Sequence, residues 1–363
     1  MDKSKAVRSM TSQQGIMAND GASRTIRVSN TDEWAKVLHS VPHRPLLTHL
    51  NADTTWLIQL PYPASVKAPP GRTHFNVLLD PWLQGPQSDV AWWFSTQWHV
   101  IPPSIATIKD LNSTLRELES PAAGAGGSDS LDTASRSFID VVAISHEFTD
   151  HCHRATLEEL PRSTPIFATD VAADLIRSWD HFDSVITTPA LSQDVHWSKL
   201  TVGSLPKWLA IGRVISPGNA LYYHSAVLII FNLDGGDATG AQTIIYSPHG
   251  IESQDLSHLS SSGLKPLALL HGLHDVSIWM VKQLNLGALN GIRAVGTSGA
   301  RYWIATHDEV KTGGGLIAPW LRRIRYTAKQ AVDSEQKRLE GEGKKPPKYD
   351  FVELGSGDGL ALE

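Results

Sequence analysis

The sequence predicts a mixed α/β or α+β fold built around one large domain. Apolar runs of strand length, rich in Val, Ile and aromatic residues, recur along the chain and are separated by Gly, Pro, Asn, Asp and Ser. Stretches with the polar and apolar pattern of helices lie between several of these runs. A chain of 363 residues that is 41% hydrophobic and 19% charged is also long enough to bury a sizeable core.

The expected elements follow one another along the chain. A polar, aperiodic start predicts a flexible tail and lead-in over residues 1–42. Strands are expected in TTWLIQL, HFNVLLDPWL, SFIDVVAIS, TPIFATD, WLAIGRVI, ALYYHSAVLIIF, QTIIYSP, KPLALLHG and RYWIATHD. Helices are expected in SIATIKDLNSTLRELE, RATLEEL, DVAADLIRSW and TAKQAVDSEQKRLEGE, with Asp170 as a cap. We place the main domain at 43–326, with an exposed Gly, Ala and Ser-rich loop at 119–136, and expect 327–363 to be a helix and a loosely attached end.

Composition limits the classes of partner. The formal net charge of −5 gives no long-range attraction to nucleic acid or to an anionic membrane surface. No apolar run approaches the roughly 20 residues needed to span a bilayer. The single cysteine excludes an internal disulfide, and no N-terminal stretch has the pattern of a secretion signal, so we expect a cytoplasmic location. The expected partner is a small-molecule substrate, without nucleic acid or stable membrane association, and the oligomeric state is not indicated.

Residues 145–153, SHEFTDHCH, contain three histidines, an aspartate, a glutamate and the only cysteine directly after the apolar run FIDVVAI. Side chains in a turn at the end of a strand can converge on one point that rigid backbone holds in place. Zinc prefers nitrogen, sulfur and carboxylate oxygen, and a catalytic zinc keeps one position open for water. The segment therefore favours a metal site over a solvated polar turn.

At this point the sequence resembles the metallo-β-lactamase superfamily, whose motif after a strand is His-x-His-x-Asp-His. His146, Asp150 and His151 match that motif, whereas Phe148 replaces its second histidine. The segment NVLLDPWL resembles an early strand of the superfamily that ends in an aspartate near the site, here Asp80. The resemblance covers roughly residues 45 to 325 and implies a four-layer αβ/βα sandwich. The LLDPWL strand and the layout look closest to the ascorbate-phosphate lactonase and N-acylphosphatidylethanolamine phospholipase D type branch.

The same resemblance suggests further ligands. TIIYSPHGI takes the place of the strand that delivers a bridging aspartate, so His249 stands there instead, and RYWIATHDEVK resembles the strand that delivers the last metal histidine, here His307. VISPGNALYYHS either puts Ile215 where a histidine belongs or offers His224 as a shifted substitute, and both alignments stay open. Residues expected to line the pocket or to support the ligands are Asp80, His153, His271 and His274; of these, His153 is also a candidate for the nitrogen lost at Phe148.

These residues imply a metal-dependent hydrolase acting on a small ester, lactone, thioester or amide. A divalent ion lowers the pKa of bound water from about 16 to about 7 and so supplies hydroxide at neutral pH. Asp150 is the expected catalytic residue, and the expected metal ligands are His146, Asp150, His151, His249, His307 and His224. We expect one or two zinc ions, with iron or manganese as alternatives. Phe148 and His249 favour a single ion, at Asp150, His151 and His307.

The same sequence allows several other interpretations. Phe148 and the missing bridging aspartate favour, as an alternative function, a catalytically degenerate binding or scaffold protein of the same fold. Cys152 beside two histidines could act as a nucleophile, but adjacency in sequence is weak evidence for a Cys and His pair. A nuclease is disfavoured by the acidic balance. The arginines of WLRRIRY are expected on a solvated or paired helix face, and the tryptophans at 82, 92, 93 and 98 either cover the core or wall a pocket for an organic ligand.

Overall fold

The computed structural model describes residues 25–40, 44–89, 91–119, 137–216, 218, 224–234, 240–278, 282–316 and 318–363. Within these residues two large β-sheets pack face to face, and helices cover their outer faces. Two three-stranded sheets accompany the large ones.

The first large sheet has eight strands in the order β1-β20-β2-β3-β4-β7-β8-β9. Its members are β1 (Thr25–Arg27), β2 (Leu46–His49), β3 (Trp56–Pro61), β4 (His74–Leu79), β7 (Val141–Ile144), β8 (Ile166–Ala168), β9 (Val185–Thr187) and β20 (Asp358–Ala361). The strands from β4 through β9 run parallel, whereas those from β1 to β4 are antiparallel. The helices on its outer face are α1 (Thr31–Ser40), α2 (Ile108–Glu119), α3 (Arg154–Leu157) and α4 (Asp170–Arg177).

The second large sheet has six strands in the order β10-β11-β12-β13-β16-β19. They are β10 (Leu209–Ile215), β11 (Ser225–Phe231), β12 (Ala241–Ser247), β13 (Leu264–His271), β16 (Tyr302–Ile304) and β19 (Asp350–Val352). β12, β13, β16 and β19 are parallel. Its outer face packs against α5 (Ala288–Ser298) and α6 (Ala328–Glu342), and Thr327 caps α6 in a capping box with Gln330.

The central core lies between the two sheets. Alternate residues of a strand point to opposite faces, so in β3 Leu57 packs against the helices while Ile58 packs against the second sheet. Ile211 and Ile229 project from the second sheet into the same central cluster. Strands buried on both faces explain the continuous apolar runs of the sequence. The layers are therefore helix, sheet, sheet and helix, and the predicted four-layer αβ/βα sandwich is confirmed.

The small sheets and short helices were not expected. One small sheet contains β5 (Gln87–Asp89), β6 (Ser95–Trp98) and β17 (Thr312–Gly314), and the other contains β14 (His274–Ile278), β15 (Lys282–Asn285) and β18 (Leu321–Arg325). Short 3-10 helices lie at Trp197–Leu200, Ser253–Leu256 and Ala318–Trp320. The prediction of a helix face for WLRRIRY is wrong, because these residues pair with β14 as strand β18.

The ends of the chain are better integrated than expected. The C-terminal segment supplies β19 to one large sheet and β20 to the other, where β20 lies between β1 and β2 and buries Leu360 and Leu362, so it is not a loose end. Of the predicted tail, residues 25–40 form β1 and α1, while 1–24 lie outside the described residues. The expected loop at 119–136 also lies outside them, apart from Glu119, which ends α2. Thr169, not Asp170, occupies the cap position of α4.

Candidate metal centre

The turn after β7 is closed by its own backbone. The amides of His151 and Cys152 both donate to the carbonyl of Phe148, at 2.9 and 2.7 Å. The hydroxyl of Thr54 donates to the carbonyl of Asp150 at 2.7 Å, which fixes the turn to the segment between β2 and β3. The histidine-rich segment at 145–153 therefore contains a turn that is fixed in place at the end of a buried strand.

Three imidazoles from different strand ends meet beside this turn. His151 follows β7 of the first sheet, whereas His249 and His307 follow β12 and β16 of the second. One ligand atom from each residue lies within 4.8 Å of the other two, and all three residues are buried. The Nε2 atoms of His151 and His249 are 2.8 Å apart. The structure thus brings together three of the predicted metal ligands from positions up to 156 residues apart in the sequence.

Buried carboxylates hold two of these rings in orientation. The Oδ2 atom of Asp80 lies 2.7 Å from Nδ1 of His151, and the Oδ1 atom of Asp53 lies 3.0 Å from Nδ1 of His307. A carboxylate on Nδ1 selects the tautomer whose Nε2 is free to bind a metal. Asp80 and His307 also have positive φ values of 39° and 58°, a strained backbone state that clusters at functional sites.

His146 lies beside the three rings. Its ring centroid is 5.1 Å from that of His249 and 6.0 Å from that of His151. Phe148 covers it at 4.3 Å, and the Phe148 amide donates to its Nδ1 at 3.2 Å. Burial, with the charge of His151, lowers the pKa of His146 to about 3, so the ring is neutral.

A lysine that the sequence did not reveal completes the centre. The ammonium of Lys311 is 2.6 Å from Oδ2 of Asp53 and 2.7 Å from Oδ2 of Asp150, and its side chain is 5% exposed. It also lies 5.2 Å from the centre of the Trp82 ring. Burial by itself lowers the pKa of Lys311, but the charges of Asp150 and Asp53 outweigh it and hold that pKa above its usual value.

Asp150 faces both the lysine and the imidazoles. Its Oδ1 atom is 3.6 Å from Nε2 of His151, and its Oδ2 atom is 3.9 Å from Nε2 of His307. Although burial alone would raise its pKa, Lys311 and the two histidines hold the pKa of Asp150 well below the usual range. Burial would also raise the pKa of Asp53, but Lys311 and His307 outweigh burial and hold that pKa below its usual value. Both groups are carboxylates at neutral pH.

Four of the predicted residues bond elsewhere, and none belongs to either group of converging ligand atoms found among the described residues. His224 lies 3.1 Å from the carbonyl of His249, which makes it a support for that turn. His153 caps α3 and bonds Thr156, because the helix begins at the next residue. The last two have ring nitrogens that contact other residues: His271 contacts Gly272 and Asn290, and His274 contacts Arg323.

The sequence contained little signal for the residues that were missed. Lys311 lies four residues after His307, and Asp53 lies in a short loop between two strands. Neither fits a motif, and only the packing of the two sheets places them together. Cys152 is buried and its thiol pKa is raised by that burial, so it does not have the properties of a nucleophile.

The residues present fit a divalent ion. Ligand nitrogens on a tetrahedral zinc lie about 3.3 Å apart for metal–nitrogen distances of about 2.0–2.1 Å. The 2.8 Å between His151 and His249 needs to widen by only a few tenths of an ångström to match. Burial and the neighbouring imidazoles hold the pKa of His249 well below its usual value, which keeps its ring in the neutral form that binds metals.

No family model and no curated protein matches this chain. Among solved structures, it is similar to a possible metal-dependent hydrolase from Veillonella parvula DSM 2008, with 14% identity and a TM-score of 0.50 over 88% of this chain and 100% of that chain. It is also similar to the isothiocyanate hydrolase from Delia radicum gut bacteria, with 16% identity and a TM-score of 0.51 over 88% of this chain and 99% of that one. The metallo-beta-lactamase fold protein YhfI from Bacillus subtilis covers 88% of this chain and 99% of its own, at 12% identity and a TM-score of 0.45. With TM-scores of 0.50 and 0.51, the first two of these structures show that the chain shares their fold.

Proposed function

We propose that this protein is a metal-dependent hydrolase whose centre is formed by His151, His249 and His307. The observation that carries the proposal is the convergence of three buried imidazoles from both sheets, two of them anchored through Nδ1 by Asp80 and Asp53. A structural role alone does not require such convergence, because buried polar groups cost stability and isolated histidines need only one partner each.

The residues around the imidazoles have separate tasks. When bound, a divalent ion lowers the pKa of water toward neutrality and polarises the carbonyl under attack. Asp150 faces the imidazoles as a carboxylate, so it accepts a hydrogen bond from the attacking water and orients it. Lys311 fixes the position of that carboxylate, and Asp80 and Asp53 keep the ring nitrogens of His151 and His307 directed inward.

The surface near Lys311 supports a substrate that carries an apolar group. Trp92, Trp93 and Trp98 are 78%, 55% and 44% exposed, and β6, which includes Trp98, pairs with β17, which begins one residue after Lys311. Exposed aromatic side chains of this kind bind apolar organic groups. We therefore propose an ester, lactone, thioester or amide with an apolar substituent. Trp82 is not part of that surface, because it is buried and stacks on His99.

Finer assignments are also proposals. We propose zinc as the resident ion, since three imidazoles that leave a position open for water are typical of a catalytic zinc, with iron and manganese as alternatives. The ascorbate-phosphate lactonase and N-acylphosphatidylethanolamine phospholipase D type branch and a cytoplasmic location stay predictions. Among the helices of the described residues, none has the length and apolar character needed to cross a membrane.

The proposal is tested by metal analysis and a hydrolysis panel. Protein stripped with a chelator and reloaded with zinc, manganese or iron is expected to retain close to one ion per chain and to hydrolyse at least one ester, lactone, thioester, amide or isothiocyanate. His249→Ala is expected to lose at least tenfold in metal affinity, whereas the control His196→Ala, at an exposed histidine that bonds Ser198, keeps wild-type affinity. Folded protein that binds none of the three metals contradicts the proposal.

A second candidate function has its own support. Phe148 packs on His146 where the resembling motif has a histidine, and Lys311 pairs with two carboxylates that would otherwise be ligands. Both features are expected in a degenerate member that binds a partner without turnover. Metal binding without hydrolysis of any member of the panel would favour this alternative, and so would a melting temperature that metals do not raise.

A further inference from the structure

We propose that Lys311 takes the position of a second cation, so that the centre holds a single ion at the imidazoles. The inference rests on the proposed function in one respect, the binding of that ion. The group formed by Asp53, Asp150 and His307 shares His307 with the imidazoles, and its ligand atoms lie within 4.8 Å of one another, which is the spacing of a metal site. The proposal is that this group is a lysine site.

The Lys311 ammonium contacts the carboxylates of both Asp53 and Asp150. Lys311 Nζ lies 2.6 and 2.7 Å from one oxygen each of Asp53 and Asp150, which is hydrogen-bonding distance to both. A zinc ion bound by the same two oxygens would lie about 2.0–2.2 Å from each. The ammonium and such an ion would therefore compete for the same carboxylate oxygens, and their like charges would repel each other.

Burial makes this lysine a permanent part of the centre. Its side chain is 5% exposed, and the side chains of Asp53 and Asp150 are 0% and 11% exposed. A buried carboxylate without a partner is costly, so each charge in the group depends on the others. The Trp82 ring 5.2 Å from the ammonium adds a further favourable contact.

The second oxygen of Asp53 connects the lysine to the imidazoles. Asp53 binds Lys311 through Oδ2 and His307 through Oδ1, so one carboxylate holds the cation and orients a proposed metal ligand. Compared with the His-x-His-x-Asp-His motif that the sequence resembles, Phe148 removes one ligand nitrogen, and Lys311 adds a fixed positive charge to the centre. Both changes reduce the number of ions that the pocket can hold.

The experiment compares the wild type with Lys311→Met, which keeps most of the side-chain volume and removes the charge. Lys344→Met is the matched control, because Lys344 is exposed and pairs with Glu342 at 2.9 Å. Chelator-stripped proteins are dialysed against zinc, and bound zinc per chain is measured by mass spectrometry beside circular dichroism. We expect one zinc in the wild type and the control, and two in Lys311→Met.

Two zinc ions in the wild type would overturn the inference. One zinc ion in the wild type and also one in a folded Lys311→Met variant would overturn it as well. A wild type without zinc and a Lys311→Met variant with one ion would refute the proposed function and the ion at the imidazoles, and would support only the placement of Lys311 at a cation position. No zinc in either protein would refute both the proposed function and the inference. If Lys311→Met does not fold, anomalous diffraction from wild-type crystals soaked in manganese decides. One site at the imidazoles, with Lys311 still bonded to Asp53 and Asp150, supports the inference, and any other result overturns it.

Discussion

Replacing Asp80 by Asn tests how the centre controls its ligands. The Asp80 carboxylate is fully buried and accepts hydrogen bonds from the Ser145 amide through Oδ1, at 2.7 Å, and from the Ser145 hydroxyl through Oδ2. Its Oδ2 atom also lies 2.7 Å from Nδ1 of His151. An asparagine that keeps its oxygen on the Ser145 amide must turn its NH₂ group toward His151.

That change reverses the tautomer of the ring. An NH₂ group donates to Nδ1, so the ring proton moves to Nε2, the atom that faces His249 at 2.8 Å and is proposed to bind the metal. Loss of a carboxylate that orients a metal-binding histidine typically lowers metal affinity by about 10–100-fold, which equals about 1.4–2.7 kcal/mol. Loss of hydrogen bonds to a charged group should also lower the free energy of unfolding by about 1.5–3 kcal/mol.

Zinc affinity is measured by competition with a chromophoric chelator, and stability by urea unfolding of the metal-free protein. Asp140→Asn is the control, because Asp140 precedes β7 and accepts from the Asn76 amide at 2.7 Å at the opposite end of the same strand pair. It should lower stability without changing zinc affinity. A folded Asp80→Asn variant with wild-type zinc affinity would refute the proposed tautomer control.

Three further changes probe other parts of the molecule. Burial, with His39 and Arg72, lowers the pKa of His74 to about 3. The stability that this neutral ring contributes is complete above pH 6.5 and is lost as the pH falls toward 3. In urea titrations at pH 4.5, His74→Asn should therefore remove about 2–3 kcal/mol of the destabilisation caused by acid. Glu309 accepts hydrogen bonds from the amides of residues 100 and 101, at 2.7 and 2.9 Å, and contacts His99. Glu309→Ala should therefore lower the free energy of unfolding by about 3–5 kcal/mol, and Glu309→Gln should lower it clearly less. Gly250→Ala places a Cβ at φ +82° and 2.6 Å from Leu286, so it should cost at least about 1–2 kcal/mol and reduce zinc occupancy by shifting the preceding His249; unchanged occupancy would contradict that expectation.

Much of the fold could be predicted from the sequence, because the residues of its long strands are strongly hydrophobic. Strands such as β7 and β11 are nearly continuous apolar runs, which is typical of strands buried on both faces. The short strands of the small sheets and the terminal strands β19 and β20 have three to five residues beside glycines or charges, so their pattern was too weak to recognise. Their pairing is decided by the neighbouring strands and not by local propensity.

The layered α/β architecture and the turn that carries Asp150 and His151 could be predicted from the residues alone, because hydrophobic periodicity and a motif after a strand are local properties. The sequence also nominated His249 and His307 from the ends of other strands. No local pattern indicated that His153 caps a helix or that Lys311 pairs with Asp53 and Asp150. Those contacts join residues up to 258 positions apart, and the face that each side chain meets depends on how two sheets pack together.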